Sequence, residues 1–326
     1  MSKEEHVAAL NKISEEDIEP EPVNILDEPL HGIYIPSGLL MVGISILYKL
    51  SGETKILYVI PIYLLFITIK VSQAKRNSKS VFADKWSALE LVDKTLISKN
   101  TAIYKFALRS NLDSLNFPVG HHLAVKIPIE GKEDQVRYYT PISPQHQEGT
   151  FDILVKSYGD GEVSKWFATQ SYTGMKVEFK GPVGRFGYKP CKEIAMIAGG
   201  SGITPMLQVI SKVIVDSSDL SNLTLIYANE TENDILLKDE LDEIAEKFPN
   251  FKVHYVLNKP GENWDGEKGL VTKEIMQKYL PKCSSDARLL ICGKPEMKKM
   301  LLDYAEQLGW PKGDMKSAAD DQVFVF

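Results

Sequence analysis

The chain has 326 residues, 44% hydrophobic and 25% charged, with a formal net charge of -6. That length exceeds one compact core and fits two domains of ordinary size plus an extra segment, while the negative balance excludes a general nucleic-acid binder. Three cysteines, Cys191, Cys283 and Cys292, stand in unrelated contexts without the paired spacing of a zinc site or an iron–sulfur cluster. The six histidines include no paired haem ligands, and His121 and His122 are neighbours that point apart on a strand. Reduced thiols, no metal, and a prosthetic group held by non-metal chemistry are therefore the expectation.

Residues 1–31 are polar and acidic, with Glu15, Glu16, Asp17, Glu19 and Glu21 interspersed with Pro20 and Pro22, the composition of a disordered tail. A hydrophobic segment follows over 32–72 in two pieces, Ile33 to Leu50 and Ile56 to Val71, separated by the polar turn Ser51 to Lys55. Each piece is short against the about 20 apolar residues of a spanning helix, so one or two short transmembrane segments are both open. Both pieces are apolar on all sides, unlike the striped helix of a small soluble core. Lys70, Lys75, Arg76 and Lys79 lie beside or within the basic linker 73–85, and positive charge next to a membrane segment marks the cytosolic side.

From 86 to 188 the texture becomes that of short alternating strands, such as Ala88 to Val92 and Ile103 to Leu108, divided by turn signals at Asn116 to Gly120, Glu130-Gly131, Tyr158 to Gly161 and Lys180 to Gly184. This predicts an antiparallel β-barrel. From 189 to 326 strands alternate with helices: Ile194 to Ala198, Leu223 to Ala228, Lys252 to Leu257 and Leu289 to Cys292, with helices from Thr204, over Lys238 to Lys247, near Thr272 to Tyr279 and from Lys294. That alternation predicts a doubly wound parallel sheet with its ligand crevice at the carboxyl ends of the strands. The fold class is thus α/β plus all-β behind an N-terminal membrane anchor.

Two motifs carry the chemistry. In the barrel, Arg137-Tyr138-Tyr139-Thr140-Pro141-Ile142-Ser143 puts Arg137 and Tyr139 on one strand face; a guanidinium fork suits a diphosphate, an aromatic ring stacks on a flavin, and the Thr140 hydroxyl or amide bonds its redox-active edge. Downstream, Val155-Lys156-Ser157-Tyr158 leads to Gly161-Glu162-Val163-Ser164 at a helix start, where exposed N–H groups make an anion site for the FAD diphosphate. In the second domain, Gly199-Gly200-Ser201-Gly202 and Thr204-Pro205 follow an apolar strand and open a helix. The glycines allow a tight turn and close approach to phosphate, Thr204 suits an N-cap, and Pro205 suits the first helical position.

With these residues in this order, preceded by Phe117 to His122 and followed by Lys180-Gly181-Pro182-Val183-Gly184, the chain from Trp86 to Phe326 resembles the ferredoxin–NADP reductase superfamily and, within it, the NADH–cytochrome b5 reductases. The two-piece anchor and acidic tail are closest in layout to the fungal plasma-membrane coenzyme Q reductases of that family. The resemblance implies FAD and NADH as cofactors, with His122 and Thr140 near the flavin nitrogen that receives hydride, Lys156 near the nicotinamide side, and Asp234 on the adenosine side, where a carboxylate favours NADH over NADPH. Cys292, Gly293 and Met297 match the family's CGPPPM motif, here CGKPEM with Lys294 and Glu296 in place of prolines; Cys292 shapes the nicotinamide site, and no histidine is placed to make it a nucleophile. Phe326 ends the FVF terminus that the family shows. The implied activity is hydride transfer from NADH to FAD and single-electron transfer to cytochrome b5, alternatively to a membrane quinone, on the cytosolic side of the endoplasmic reticulum or plasma membrane. An inert membrane scaffold is the non-enzymatic alternative, and the intact motifs argue against it.

Overall fold

The computed structural model describes residues 35–77, 79–129, 131–157 and 161–326, apart from the side chains of Ile56, Leu57 and residues 70–77. The expected acidic tail over 1–31 and the candidate Tyr158 lie outside the described residues. The chain divides into two compact units, Met1–Asn77 and Ser78–Phe326.

In the first unit the two apolar runs form helices α1 (Ile35–Ser51) and α2 (Val59–Asn77), joined through a short 3-10 turn over Thr54–Tyr58. The hydroxyls of Ser45, Ser51 and Thr68 donate to carbonyls three or four residues back, at 2.8, 2.7 and 2.8 Å, and Ser37 Oγ and Tyr63 OH lie 3.0 Å apart across the two helices. The apolar side chains face outward, with Leu39 70% and Leu50 80% exposed. No helix among the described residues is long and apolar enough to cross a membrane. The 17 residues of α1 rise about 26 Å, short of a hydrocarbon core of about 30 Å, and the last part of α2 carries Lys70, Lys75 and Arg76.

The second unit begins with six strands: β1 (Ser87–Ser98), β2 (Thr101–Ala107), β3 (His122–Ile127), β4 (Gln135–Tyr139), β5 (Thr150–Lys156) and, after helix α3 (Glu162–Thr169), β6 (Lys176–Val183). They form an antiparallel sheet in the order β4-β3-β6-β1-β2-β5. A bridge between Pro141 and Ile153, with Ile142 N–H donating to Asp152 O at 2.9 Å, brings the end of β4 back to β5 and closes the sheet into a barrel. Alternation drives this arrangement: β2 and β5 turn Tyr104, Phe106, Phe151 and Ile153 inward, where Phe106, Phe151 and Phe179 pack with ring centroids 4.7 to 5.6 Å apart.

The remaining elements are β7 (Glu193–Gly199), α4 (Thr204–Val215), β8 (Asn222–Asn229), α5 (Lys238–Lys247), β9 (Phe251–Leu257), β10 (Glu267–Lys268), α6 (Lys273–Tyr279), β11 (Ala287–Cys292), α7 (Pro295–Gln307) and β12 (Val323–Val325). Their parallel sheet has the order β10-β9-β8-β7-β11-β12, so the winding reverses between β7 and β11. Ile194, Met196 and Ala198 of β7 pack in one core cluster with Met206 and Ile210 of α4 and Leu241 of α5, while Ala195 and Ile197 pack in another with Met276 of α6 and Leu301 of α7. Both faces are covered, as the near-continuous apolar strands require. The terminal Val323–Val325 pairs with Leu289 to Ile291 as an edge strand. Phe106 is fully buried, so Phe106→Ala is expected to cost about 3–5 kcal/mol of stability, read as a lowered urea midpoint of barrel unfolding with little change in slope.

Candidate functional site

A cleft of about 1120 Å³ runs from the β4 edge of the barrel to the carboxyl ends of β7, β8 and β11. Two bridges join its walls: Gln208 of α4 donates from Nε2 to Pro141 O at 2.9 Å and accepts from Gly120 N–H at 2.7 Å, and Lys156 Nζ donates to Asp234 Oδ1 at 2.8 Å.

On the barrel side Arg137, Tyr138, Tyr139 and Thr140 all line the cleft. Alternation predicted one face for Arg137 and Tyr139; Tyr138, 61% exposed, also reaches the cleft because β4 stands at the end of the sheet order. Tyr139 packs its ring against Phe167 of α3, with centroids 5.7 Å apart and planes at 79°. Gly161, Glu162, Val163 and Ser164 line the cleft at the start of α3. Gly161 occupies the N-cap position in an extended conformation, and the Ser164 hydroxyl donates to its carbonyl at 3.1 Å, so the first amide groups of the helix border the cleft beside Arg137. A carboxylate is also present: Glu162 is held by Lys132, which keeps its carboxyl below the usual range. His122 lines the same wall, edge-on to Tyr138 at 5.1 Å; burial, then the adjacent His121, lowers its imidazole to about 4.

Three candidates of the barrel do not line the cleft. Val155 points into the barrel core because it alternates with Lys156. Ser143 Oγ accepts from Asp152 N–H at 3.2 Å, and Pro141 serves the closing bridge and the contact to Gln208; both lie where the chain turns back to β5.

On the other wall, Gly199 to Gly202, Thr204 and Pro205 line the cleft together with Cys292, Gly293 and Met297. A Cβ on Gly202 would stand 2.6 Å from Cys292 O, and one on Gly199 2.6 Å from Met297 Sδ, so glycine is what lets the loop and the end of β11 meet. Gly200 adopts φ +53, where glycine carries no Cβ penalty. The expected N-cap role of Thr204 is corrected: a 3-10 turn over Gly200–Ile203 already starts the helical path, Gly199 caps it, and Thr204 opens α4 with Pro205 behind it. In CGKPEM, Lys294 is the N-cap of α7 and Pro295 its first residue, so the loop keeps a proline where it helps helix entry. Burial pushes the Cys292 thiol up to about 11, which leaves it protonated and a poor nucleophile. Phe326 lines the cleft and packs on Phe186 and Phe324 at 5.1 and 4.9 Å.

Asp234 does not line the cleft. Its Oδ1 holds Lys156, and its Oδ2 accepts from Thr231 N–H and Oγ1 at 3.1 and 2.7 Å in a capping box. Burial works to raise this carboxyl, but the bonds to Lys156 and Thr231 outweigh it and hold it below the usual range. Lys156 and Asp234, expected on the nicotinamide and adenosine sides, are thus brought together. Sequence reasoning missed Asn229, Glu230, Asn258 and Leu270, which line the adjoining end of the cleft. Only the position of Asn229 and Glu230 at the carboxyl end of a predicted strand could have signalled two of them.

The residues fit dinucleotide ligands: an arginine and a helix start on one wall, and a glycine loop opening a helix on the other, supply anion-binding groups at the two places a diphosphate needs them. Comparison with known proteins agrees. Residues 88–188 match the family described as "Oxidoreductase FAD-binding domain" and 196–303 the "Oxidoreductase NAD-binding domain". The chain is 52% identical over 316 residues to the plasma membrane-associated coenzyme Q6 reductase PGA3 of Saccharomyces cerevisiae, covering 96% of this chain and 100% of that protein. It is 45% identical to NADH-cytochrome b5 reductase 1 of Scheffersomyces stipitis, over 78% of this chain and 90% of that protein. Among solved structures, the cytochrome b5 reductase domain of Ulva prolifera nitrate reductase superposes with a TM-score of 0.70 at 31% identity, covering 76% of this chain and 99% of that one.

His122 generates a pH prediction. Its folded value of about 4 lies below the unfolded value of 6.5, so between these the unfolded chain binds the extra proton. The stability this group contributes is present above pH 6.5 and lost as pH falls toward 4, by up to about 3 kcal/mol. Urea midpoints of the wild type are expected to drop more steeply than those of His122→Gln across this window, and parallel curves would refute the assignment.

Proposed function

Because the chain belongs to the FAD- and NAD-binding oxidoreductase family that contains the NADH–cytochrome b5 reductases, we propose that it passes electrons from NADH through FAD to cytochrome b5 at the cytosolic face of a membrane. The observation that carries this reading is the single cleft shared by the β4 edge of the barrel and the glycine loop of the parallel sheet. FAD, when bound, accepts a hydride and releases its two electrons singly, which NADH itself does not do. The chain's own part is binding and alignment. Arg137 and the start of α3, with Gly161 and Ser164, would hold the flavin diphosphate, and Tyr139 and Thr140 would bind its ring. The Gly199–Gly202 loop and the start of α4 would hold the nucleotide diphosphate. His122, neutral at physiological pH, would stand near the flavin nitrogen that receives hydride, Cys292, protonated, would shape the nicotinamide site, and proximity supplies the rate.

A second reading, quinone as acceptor, is favoured by the 52% identity to a protein named a coenzyme Q6 reductase along its whole length. In either reading the first unit attaches the enzyme to the endoplasmic reticulum or plasma membrane. Its support is the outward-facing apolar surface of α1 and α2 and the basic cluster Lys70, Lys75, Arg76 and Lys79 that follows.

Steady-state NADH oxidation with cytochrome b5 and, separately, a short-chain quinone as sole acceptors tests the proposal. A kcat/KM for cytochrome b5 at least tenfold above that for the quinone supports the first reading, the reverse supports the second, and turnover with neither overturns both. Although Asp234 stands behind the cleft lining and pairs with Lys156, its carboxylate lies four residues beyond the lining residue Glu230 and is proposed to set the preference for NADH by disfavouring a 2′-phosphate. Asp234→Ala is then expected to shift the NADPH-to-NADH ratio of kcat/KM upward by about tenfold, the ~1.4 kcal/mol of one unfavourable contact; equal use of the two nucleotides by the wild type would refute the role.

A further inference from the structure

Asn229 is the last residue of β8 and borders the cleft. It is 8% exposed, and both polar atoms of its side chain, Nδ2 and Oδ1, are buried without a hydrogen-bond partner. Native interiors seldom keep a carboxamide in that condition unless a ligand or water completes it. The backbone at the same residue is anchored, since Asn229 O accepts from Asn258 N–H at 3.0 Å. Period-two alternation places the side chain on the face shared by Tyr227, whose hydroxyl donates to Gly200 O at 3.1 Å. The amide therefore stands beside the glycine loop, one pleat beyond the contact that fixes it, while the nearby carboxylate of Asp234 has both oxygens engaged.

We infer that Asn229 binds the adenosine half of the pyridine nucleotide, its amide donating to a diphosphate oxygen and accepting from the adjoining ribose hydroxyl. A carboxamide suits that junction because it offers a donor and an acceptor on one flat group, and rotation about its side-chain torsions carries it to the ligand. The inference rests on the reading that NADH occupies this cleft. It places the recognition of the nucleotide's remote half on β8, next to the loop that holds the diphosphate.

The test uses the full-length, FAD-loaded chain and titrates ADP-ribose by calorimetry. Asn229→Leu, close in shape and without polar atoms, is expected to raise the Kd for ADP-ribose at least tenfold with unchanged flavin content and a thermal midpoint equal to or above that of the wild type. Asn229→Asp removes the donor and sets a negative charge beside the diphosphate, and is expected to raise it further. Reduced nicotinamide mononucleotide lacks the adenosine half, so the ratio of NADH to mononucleotide efficiency should fall at least tenfold in both variants. A Kd within twofold of the wild type in both variants overturns the assignment, as does a lowered thermal midpoint with unchanged affinity, which marks a structural residue. If Asn229→Leu does not fold, the Asp variant decides on the same criterion. Failure of the wild type itself to bind ADP-ribose and to bleach its flavin with NADH overturns the underlying reading as well, and is distinguishable from failure of the residue assignment alone.

Discussion

The close approach of the Gly202 backbone to the carbonyl of Cys292 governs the rest of the site. A Cβ at Gly202 would meet that carbonyl at 2.6 Å, so the loop after β7 and the end of β11 meet only because the loop has no side chain there. The two strands pair directly, Cys292 opposite Ala198, and beyond this pair the connections leave toward opposite faces of the sheet. A crevice opens where the winding reverses, as parallel sheets of this kind require. α4 and α7 both begin at its edge, and helix starts are where anionic groups are favoured. Met297, wedged against Gly199, fixes α7 against the same loop.

Much of this was legible in the residues. The switch from period-two alternation to strands followed by helices marked the change from barrel to parallel sheet, and helix α5 over Lys238–Lys247 matches its predicted span. What escaped was chain path at close range. Thr204 reads as an N-cap, yet a 3-10 turn starts four residues earlier, since glycines at 200 and 202 permit a tighter path than periodicity reveals. The bounds of the two apolar helices escaped too: helix ends depend on backbone bonding as much as on hydropathy, and α1 stops at 17 residues while α2 extends into the basic stretch.

The site divides in the same way. Positions set by motif chemistry, Arg137, Thr140, Ser164, Gly199 and Cys292, come together in one cleft. Val155 and Ser143 belong to contiguous motifs, but Val155 faces the barrel core because neighbours on a strand point to opposite sides, and Ser143 lies past the end of β4 where the chain turns back to bond Asp152. Asn229 illustrates the opposite failure. An asparagine ending an apolar strand carries no signal in isolation; its meaning comes from burial and from the partners it lacks.

Electrostatics then narrow what the protein contributes to the reaction. Cys292 is held neutral by a thiol raised to about 11 and His122 by an imidazole lowered to about 4, so neither changes charge across the physiological range. Lys156 brings a positive charge to the cleft wall, but Asp234 balances it at 2.8 Å, and Asp234 is in turn fixed by Thr231. That ion pair also ties β5 to the segment after β8, a brace between the two walls of the cleft. Neither His122 nor Cys292 therefore brings a change of charge to the cleft. Alignment of two flat rings by a rigid barrel edge and a glycine loop is what remains, and for hydride transfer between bound cofactors alignment is the protein's main lever.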